Sequence, residues 1–184
     1  SDGFYATPGL HWNRETLKGK PFFYFAYGAA CAEVIIDTLT GEHKVLRADV
    51  LHDVGRSLNP AIDIGQIEGA FIQGMGWLTM EQLWWQPLDG SKHQGKLMTH
   101  APSTYKIPTV GDVPIDFRVD LFRRSKPPST NVIFHSKGVG EPPSVTTPGA
   151  VGNAIAKVLG RHVDQLPMTA ERVWLTANTP EEHQ

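Results

Sequence analysis

Between residues 61 and 83, five apolar side chains, Ile64, Ile67, Phe71, Met75 and Leu78, follow one another at intervals of 3, 4, 4 and 3. An α-helix brings such positions onto one stripe. Asn59-Pro60 supplies its start. The amide can accept from free helix N–H groups, and proline loses nothing at the first helical position. The spacing therefore predicts a helix over 61–83. Gly65, Gly69, Gly74 and Gly76 stand inside it, each less favourable than alanine by about 1 kcal/mol. A helix that keeps them implies that a ligand or another backbone packs close to it.

Strands are predicted on either side. Ala32, Val34 and Ile36 alternate with Glu33 and Asp37, and a turn at 38–42 leads into a return strand over 44–54. Leu46, Ala48, Val50 and Val54 share one face of that strand. His52 falls on the same face and reads as a satisfied core histidine. The aromatic run Phe22, Phe23, Tyr24, Phe25 and Tyr27 predicts a short strand ending at Gly28. Residues 113–122 alternate as a further strand, 103–108 read as a short extended piece, and 131–135 as a short apolar strand. Thr147 and Pro148 predict the cap and first position of a helix whose apolar face is Val151, Ile155, Val158 and Leu159, stopped by Gly160. Thr169 caps a last short helix to Trp174. Residues 1–20 read as an irregular leading segment, 84–102 as a polar excursion carrying Trp84-Trp85, and 178–184 as a frayed tail. The fold class expected is α+β (mixed α/β), a hairpin-rich sheet packed with a long glycine-rich helix and a second helix.

At 184 residues, 40% hydrophobic and 20% charged, the chain carries enough apolar side chain to build a core, which excludes disorder for its bulk. A formal net charge of -2 builds no field for a nucleic acid. No apolar run approaches the roughly 18 residues of a membrane span. The single cysteine, Cys31, excludes an internal disulfide framework and a cysteine-held cluster in these residues. The start, Ser1-Asp2-Gly3-Phe4, has no basic stretch followed by an apolar one. A reducing, cytoplasmic location is expected.

Two features could carry chemistry. In His135-Ser136-Lys137-Gly138-Val139-Gly140-Glu141-Pro142-Pro143, the glycines allow close approach of the backbone. Pro142 is expected to hold Glu141 extended. A carboxylate on so stiff a mount suits a general base, and it is equally compatible with a plain surface turn. Gln66 and Gln73 lie seven residues apart, nearly two helical turns, so their carboxamides share a face suited to a heterocycle edge or a phosphate oxygen. They are equally compatible with a solvated face. No phosphate-loop, dinucleotide, zinc-protease or serine-hydrolase motif occurs. The histidines show no metal-ligand spacing, and Cys31 reads as core packing.

Three blocks together resemble the molybdenum-binding subunit of the xanthine dehydrogenase family. They are Asp53-Val54-Gly55-Arg56-Ser57-Leu58-Asn59-Pro60 running on to Phe71, Ser103-Thr104-Tyr105-Lys106-Ile107-Pro108, and Ser136 to Pro143. The resemblance runs from Gly3 to about Trp174 and implies that residues 1–184 are the C-terminal part of a larger molybdopterin-binding catalytic domain. It implies that Glu141 is the base beside the molybdenum, taking a proton as oxygen from water is delivered to an electron-poor carbon. Gln66 would touch the pterin, and Gly140 would keep space near the metal. The metal would be held through the pterin dithiolene, with no protein ligand in this chain. The implied cofactors are a molybdenum-pterin cofactor here and iron–sulfur clusters and FAD on other domains or subunits. The implied partners are the upstream part of the molybdenum subunit, the iron–sulfur/FAD subunit or domain, a purine substrate and further copies in an oligomer, with no nucleic acid and no membrane. The function expected is hydroxylation of hypoxanthine and xanthine, with this chain inactive by itself and either a fragment or one piece of a split subunit. An aldehyde oxidoreductase of the same family and a non-catalytic scaffold with five tryptophans for a partner patch are the alternatives.

Overall fold

The computed structural model describes residues 1–123 and 132–179. Among the described residues, two sheets and three α-helices form in the order β1 (His11–Asn13), β2 (Lys18–Lys20), β3 (Gly28–Ile36), β4 (His43–His52), α1 (Pro60–Thr79), β5 (Asp116–Leu121), α2 (Pro142–Leu159) and α3 (Ala170–Asn178). The expected α+β class is what is observed. The leading segment is not irregular throughout: β1 and β2 pair as a small antiparallel hairpin. The main sheet has the order β3-β4-β5, with β3 antiparallel and β5 parallel to β4. Parallel pairing needs a long crossover, and α1 with residues 80–115 provides it.

The β3–β4 pairing follows the alternation, with one irregularity. The register shifts between Glu33 and Val34, so that Glu33 faces Arg47 and Val34 faces Val45. Leu46 is the extra residue of a bulge, and Val45 rather than Leu46 turns inward beside Ala48 and Val50. Against this face lies α1. Asn59 Oδ1 accepts from the amides of Ala61 and Ile62, and Pro60 opens the helix. Ile67, Phe71, Met75 and Leu78 are buried in one core with Val45, Ala48, Val50, Val151 and Ile155. Phe71 meets Phe117 of β5 with ring centroids 5.0 Å apart.

Several elements differ from expectation. The aromatic run 22–27 forms no strand, and strand geometry begins only at Gly28. Residues 101–105 turn rather than extend, the amides of Thr104 and Tyr105 both donating to the Ala101 carbonyl. Ile133–His135 is a 3₁₀ turn in which Phe134 and His135 have positive φ. Helix α2 starts at Pro142, six residues before the expected start, which places Pro148 inside it. There Pro148 has no N–H for the Ser144 carbonyl, and its ring packs on α1 at Gly74. A Cβ on Gly74 would stand 2.8 Å from the Ser144 oxygen and 3.1 Å from the proline ring. Glycine thus sets the spacing between the two helices. Val158 is exposed, and Ala156 takes its place in the core. Gly160 stops α2 at φ 76, and Thr169 caps α3 by accepting from Arg172 N. Cys31 is exposed rather than packed in the core. Most of the expected tail, 180–184, lies outside the described residues, as do Asn131 and the loop 124–130.

Candidate active site

The chain leaves β4 through Asp53 and Val54 into Gly55, whose φ is 67. The segment before Glu141 returns alongside it. Gly55 bridges to Ser136, Arg56 N donates to His135 O at 2.9 Å, and Lys137 N donates to Val54 O at 2.8 Å. The two backbones are so close that a Cβ on Gly55 would stand 2.3 Å from the His135 carbonyl oxygen. Positive φ and this contact both require glycine here.

Lys137 turns its side chain inward from this segment. Its Nζ donates to Asp53 Oδ2 at 2.6 Å and to the Phe25 carbonyl at 2.7 Å. It also lies 5.4 Å from the centre of the Tyr27 ring. The Lys137 and Asp53 side chains are 3% and 1% exposed. Asp53 Oδ1 accepts from Gly55 N at 2.9 Å. One residue on, Gly138 N donates to the Tyr24 hydroxyl at 2.8 Å. The aromatic run therefore serves as a support for this loop. His52 is buried as expected, yet neither ring nitrogen makes a hydrogen bond, and its approach to the Gly138 backbone falls short of one. Burial holds its pKa below the ordinary 6.5, against a smaller opposing pull from Asp53.

The loop delivers Glu141 to the start of α2. Its backbone is not extended: φ -85 and ψ -38 place it in the right-handed α region. That region is crowded before a proline. Here the helix secures it, because Glu141 O accepts from both the amide (3.0 Å) and the hydroxyl (2.7 Å) of Ser144. The Glu141 side chain makes no capping bond to its own helix.

Gly140, Glu141 and Ser144 face Gly65, Gln66, Gly69, Gln73 and Trp77 of α1 across a cleft of about 470 Å³. Three predicted residues, Gln66, Gly140 and Glu141, are thus brought together, and Gln73 lines the same cleft. A Cβ on Gly140 would stand 3.1 Å from Gln66 Oε1, whereas one on Gly65 or Gly69 would meet nothing within 4 Å. The glycines of α1 accordingly divide into two kinds: Gly74 and Gly76 admit neighbouring chain, while Gly65 and Gly69 leave bare backbone along the cleft. Glu141 carries the only formal charge among the lining residues.

This donor set suits a flat, heteroatom-rich group laid along α1. Carboxamides can pair with ring edges or phosphate oxygens, and the bare glycines leave room for it. Among the described residues no three His, Cys, Asp or Glu side chains group to hold a metal. A metal in the cleft would have to arrive on ligands of its own, and the residues present fit a pterin that carries its metal. Asp53, Lys137 and Tyr24 were not singled out by sequence reasoning. Lys137 and Asp53 stand inside motif blocks, but no local pattern pairs them, because 84 residues separate them.

Comparisons with known proteins show the family of the chain. A family model described as a molybdopterin cofactor-binding domain matches residues 1–114. Xanthine dehydrogenase/oxidase of Rattus norvegicus is 52% identical over 165 residues, covering 88% of this chain and 12% of the relative. Aldehyde oxidase 1 of Macaca fascicularis is 54% identical over 129 residues, covering 70% of this chain and 9% of the relative. The crystallised aldehyde oxidoreductase of Desulfovibrio gigas superposes with a TM-score of 0.72 at 26% identity, covering 88% of this chain and 16% of that one. The chain spans about an eighth or less of the length of these curated relatives. With a cleft suited to a pterin and a family match over most of its length, the chain belongs to the molybdopterin cofactor-binding domains of the xanthine dehydrogenase family.

Proposed function

We propose that this domain forms part of the molybdenum active site of a purine hydroxylase acting on hypoxanthine and xanthine, with Glu141 as its general base. The observation that carries the reading is the single cleft shared by Glu141, Gly140 and Gln66. The molybdenum-pterin group, when bound, supplies Lewis acidity and a two-electron sink. The Glu141 carboxylate accepts a proton as oxygen from water is transferred to the substrate carbon, and then releases it to solvent. Gln66 orients the pterin through its carboxamide. Gly140 keeps space open beside Gln66, where a side chain would press on the amide.

The 184 residues act, in this reading, as the C-terminal part of a larger catalytic domain in the cytoplasm. The upstream part of the molybdenum subunit completes the pocket. Iron–sulfur and FAD centres on other domains or subunits of an oligomer take the electrons, and this chain alone does not turn over. Among the described residues no helix is long and apolar enough to cross a membrane.

The test is Glu141→Gln in the intact, molybdenum-loaded enzyme. Turnover should fall by about 10²–10⁴ with molybdenum content unchanged. Loss of molybdenum together with activity would make Glu141 structural instead. Resemblance to aldehyde oxidase 1 supports a second reading, an aldehyde substrate. Steady-state rates with hypoxanthine, xanthine and an aldehyde decide between them. A folded complex that binds no molybdenum would leave only a scaffold.

A further inference from the structure

Three stretches of chain distant in sequence, 24–27, 53–55 and 135–138, meet behind the cleft around one buried cation. We propose that Lys137, together with Asp53 and Tyr24, are positioning residues that fix the loop bearing Glu141, so that they act on the reaction through that carboxylate. The proposal rests on the reading of Glu141 as the base.

The geometry supports it in three ways. First, Lys137 is four residues before Glu141, and its ammonium is held by Asp53 at 2.6 Å and by the Phe25 carbonyl at 2.7 Å, with Tyr27 beside it. Asp53 in turn binds Gly55 N, so the cation ties the loop to the end of β4 and to the aromatic segment at once. Second, the neighbouring side chains of Ser136 and His52 give no equivalent hold. Ser136 Oγ and both nitrogens of His52 are buried without hydrogen-bond partners. Third, Gly138 and Gly140 have no side chains with which to anchor the loop, and the Gly138 amide is held by the Tyr24 hydroxyl instead. A general base is useful only within about hydrogen-bond reach of its proton, and misplacement by about 1 Å can cost about 10²-fold in rate.

The test uses the intact, molybdenum-loaded enzyme and single-turnover reduction by xanthine, followed for hours where it is slow. Lys137→Met should lower the rate by about 10²-fold. Tyr24→Phe, which removes one hydroxyl at a half-buried position, should lower it by about 5-fold. Both losses should appear in the limiting rate of reduction more than in the xanthine concentration that half-saturates it. In a Glu141→Gln background the same substitutions should cost nothing further, because the group they position is gone. Equal losses in both backgrounds would show a general structural role and overturn the proposal, as would no loss in either. Should Lys137→Met fail to fold, Tyr24→Phe decides alone. Full turnover by Glu141→Gln itself would instead remove the base reading on which the proposal stands.

Discussion

Lys137 Nζ lies 2.6 Å from Asp53 Oδ2 across 84 residues of chain, and both side chains are closed to solvent. Such a pair stabilises little relative to apolar residues of the same shape, but breaking it strands a charge. Asp53→Ala should therefore destabilise the domain by about 3–5 kcal/mol. Asp53→Leu combined with Lys137→Met should recover most of that loss. Hydrogen exchange over 53–56 and 135–138 in the intact protein is the measurement. A double variant no more protected than Asp53→Ala would contradict the account.

Gly55 carries a second expectation. Alanine there must adopt φ near 67 and place its methyl 2.3 Å from the His135 carbonyl oxygen. The left-handed conformation alone costs about 1–2 kcal/mol, and the contact adds to it by pushing the two backbones apart. Gly55→Ala should lower the melting temperature and expose the Lys137–Asp53 pair. An unchanged melting curve would show that the loop yields without cost.

The two kinds of glycine in α1 predict opposite signs. Alanine at Gly65 or Gly69 meets no atom within 4 Å and should stabilise the helix by about 1 kcal/mol each. If a pterin lies along that face, the same methyl groups should reduce molybdenum-pterin content in the purified enzyme. Alanine at Gly74 strikes the Ser144 carbonyl and should destabilise α1 against α2. Thermal denaturation together with metal analysis separates the two cases. Full cofactor content in Gly65→Ala/Gly69→Ala would argue against a ligand on this face.

Acid should loosen the sheet at His52. Burial lowers its pKa from 6.5 in the folded state, so between 6.5 and the depressed value the unfolded chain binds more protons. Stability then falls as pH drops through 6.5 and levels off below the folded value. His43, also lowered by burial, contributes in the same direction. His52→Phe should flatten part of this dependence, read as melting temperature against pH from 7.5 to 5. An identical slope in the variant would assign the effect elsewhere.

The helices and strands with clean periodicity were legible before the structure was known. The stripe from Ile64 to Leu78 and the alternation of Ala32, Val34 and Ile36 depend on local period alone. The bulge at Leu46 was not legible, because one extra residue leaves the hydrophobic count of the strand unchanged. The start of α2 was misplaced since Thr147-Pro148 has the chemistry of a helix start, and only the packing of Pro148 on Gly74 shows why a proline is tolerated inside. At the site, Glu141, Gly140 and Gln66 were recognisable as motif residues, and the roles proposed for them rest on resemblance. The ion pair behind them was hidden because its partners are far apart in sequence, and nothing local distinguishes Asp53 from any carboxylate at a strand end.

The start of α2 has one more consequence. A carboxylate at a helix N-terminus ordinarily turns back onto the first free amides of its own helix. Pro142 and Pro143 remove two of those donors, and the third, Ser144 N, is taken by the Glu141 carbonyl. Glu141 is thereby denied the self-satisfied resting pose that most acids in its place would adopt. Its exposed carboxylate is left to solvent and to whatever enters the cleft.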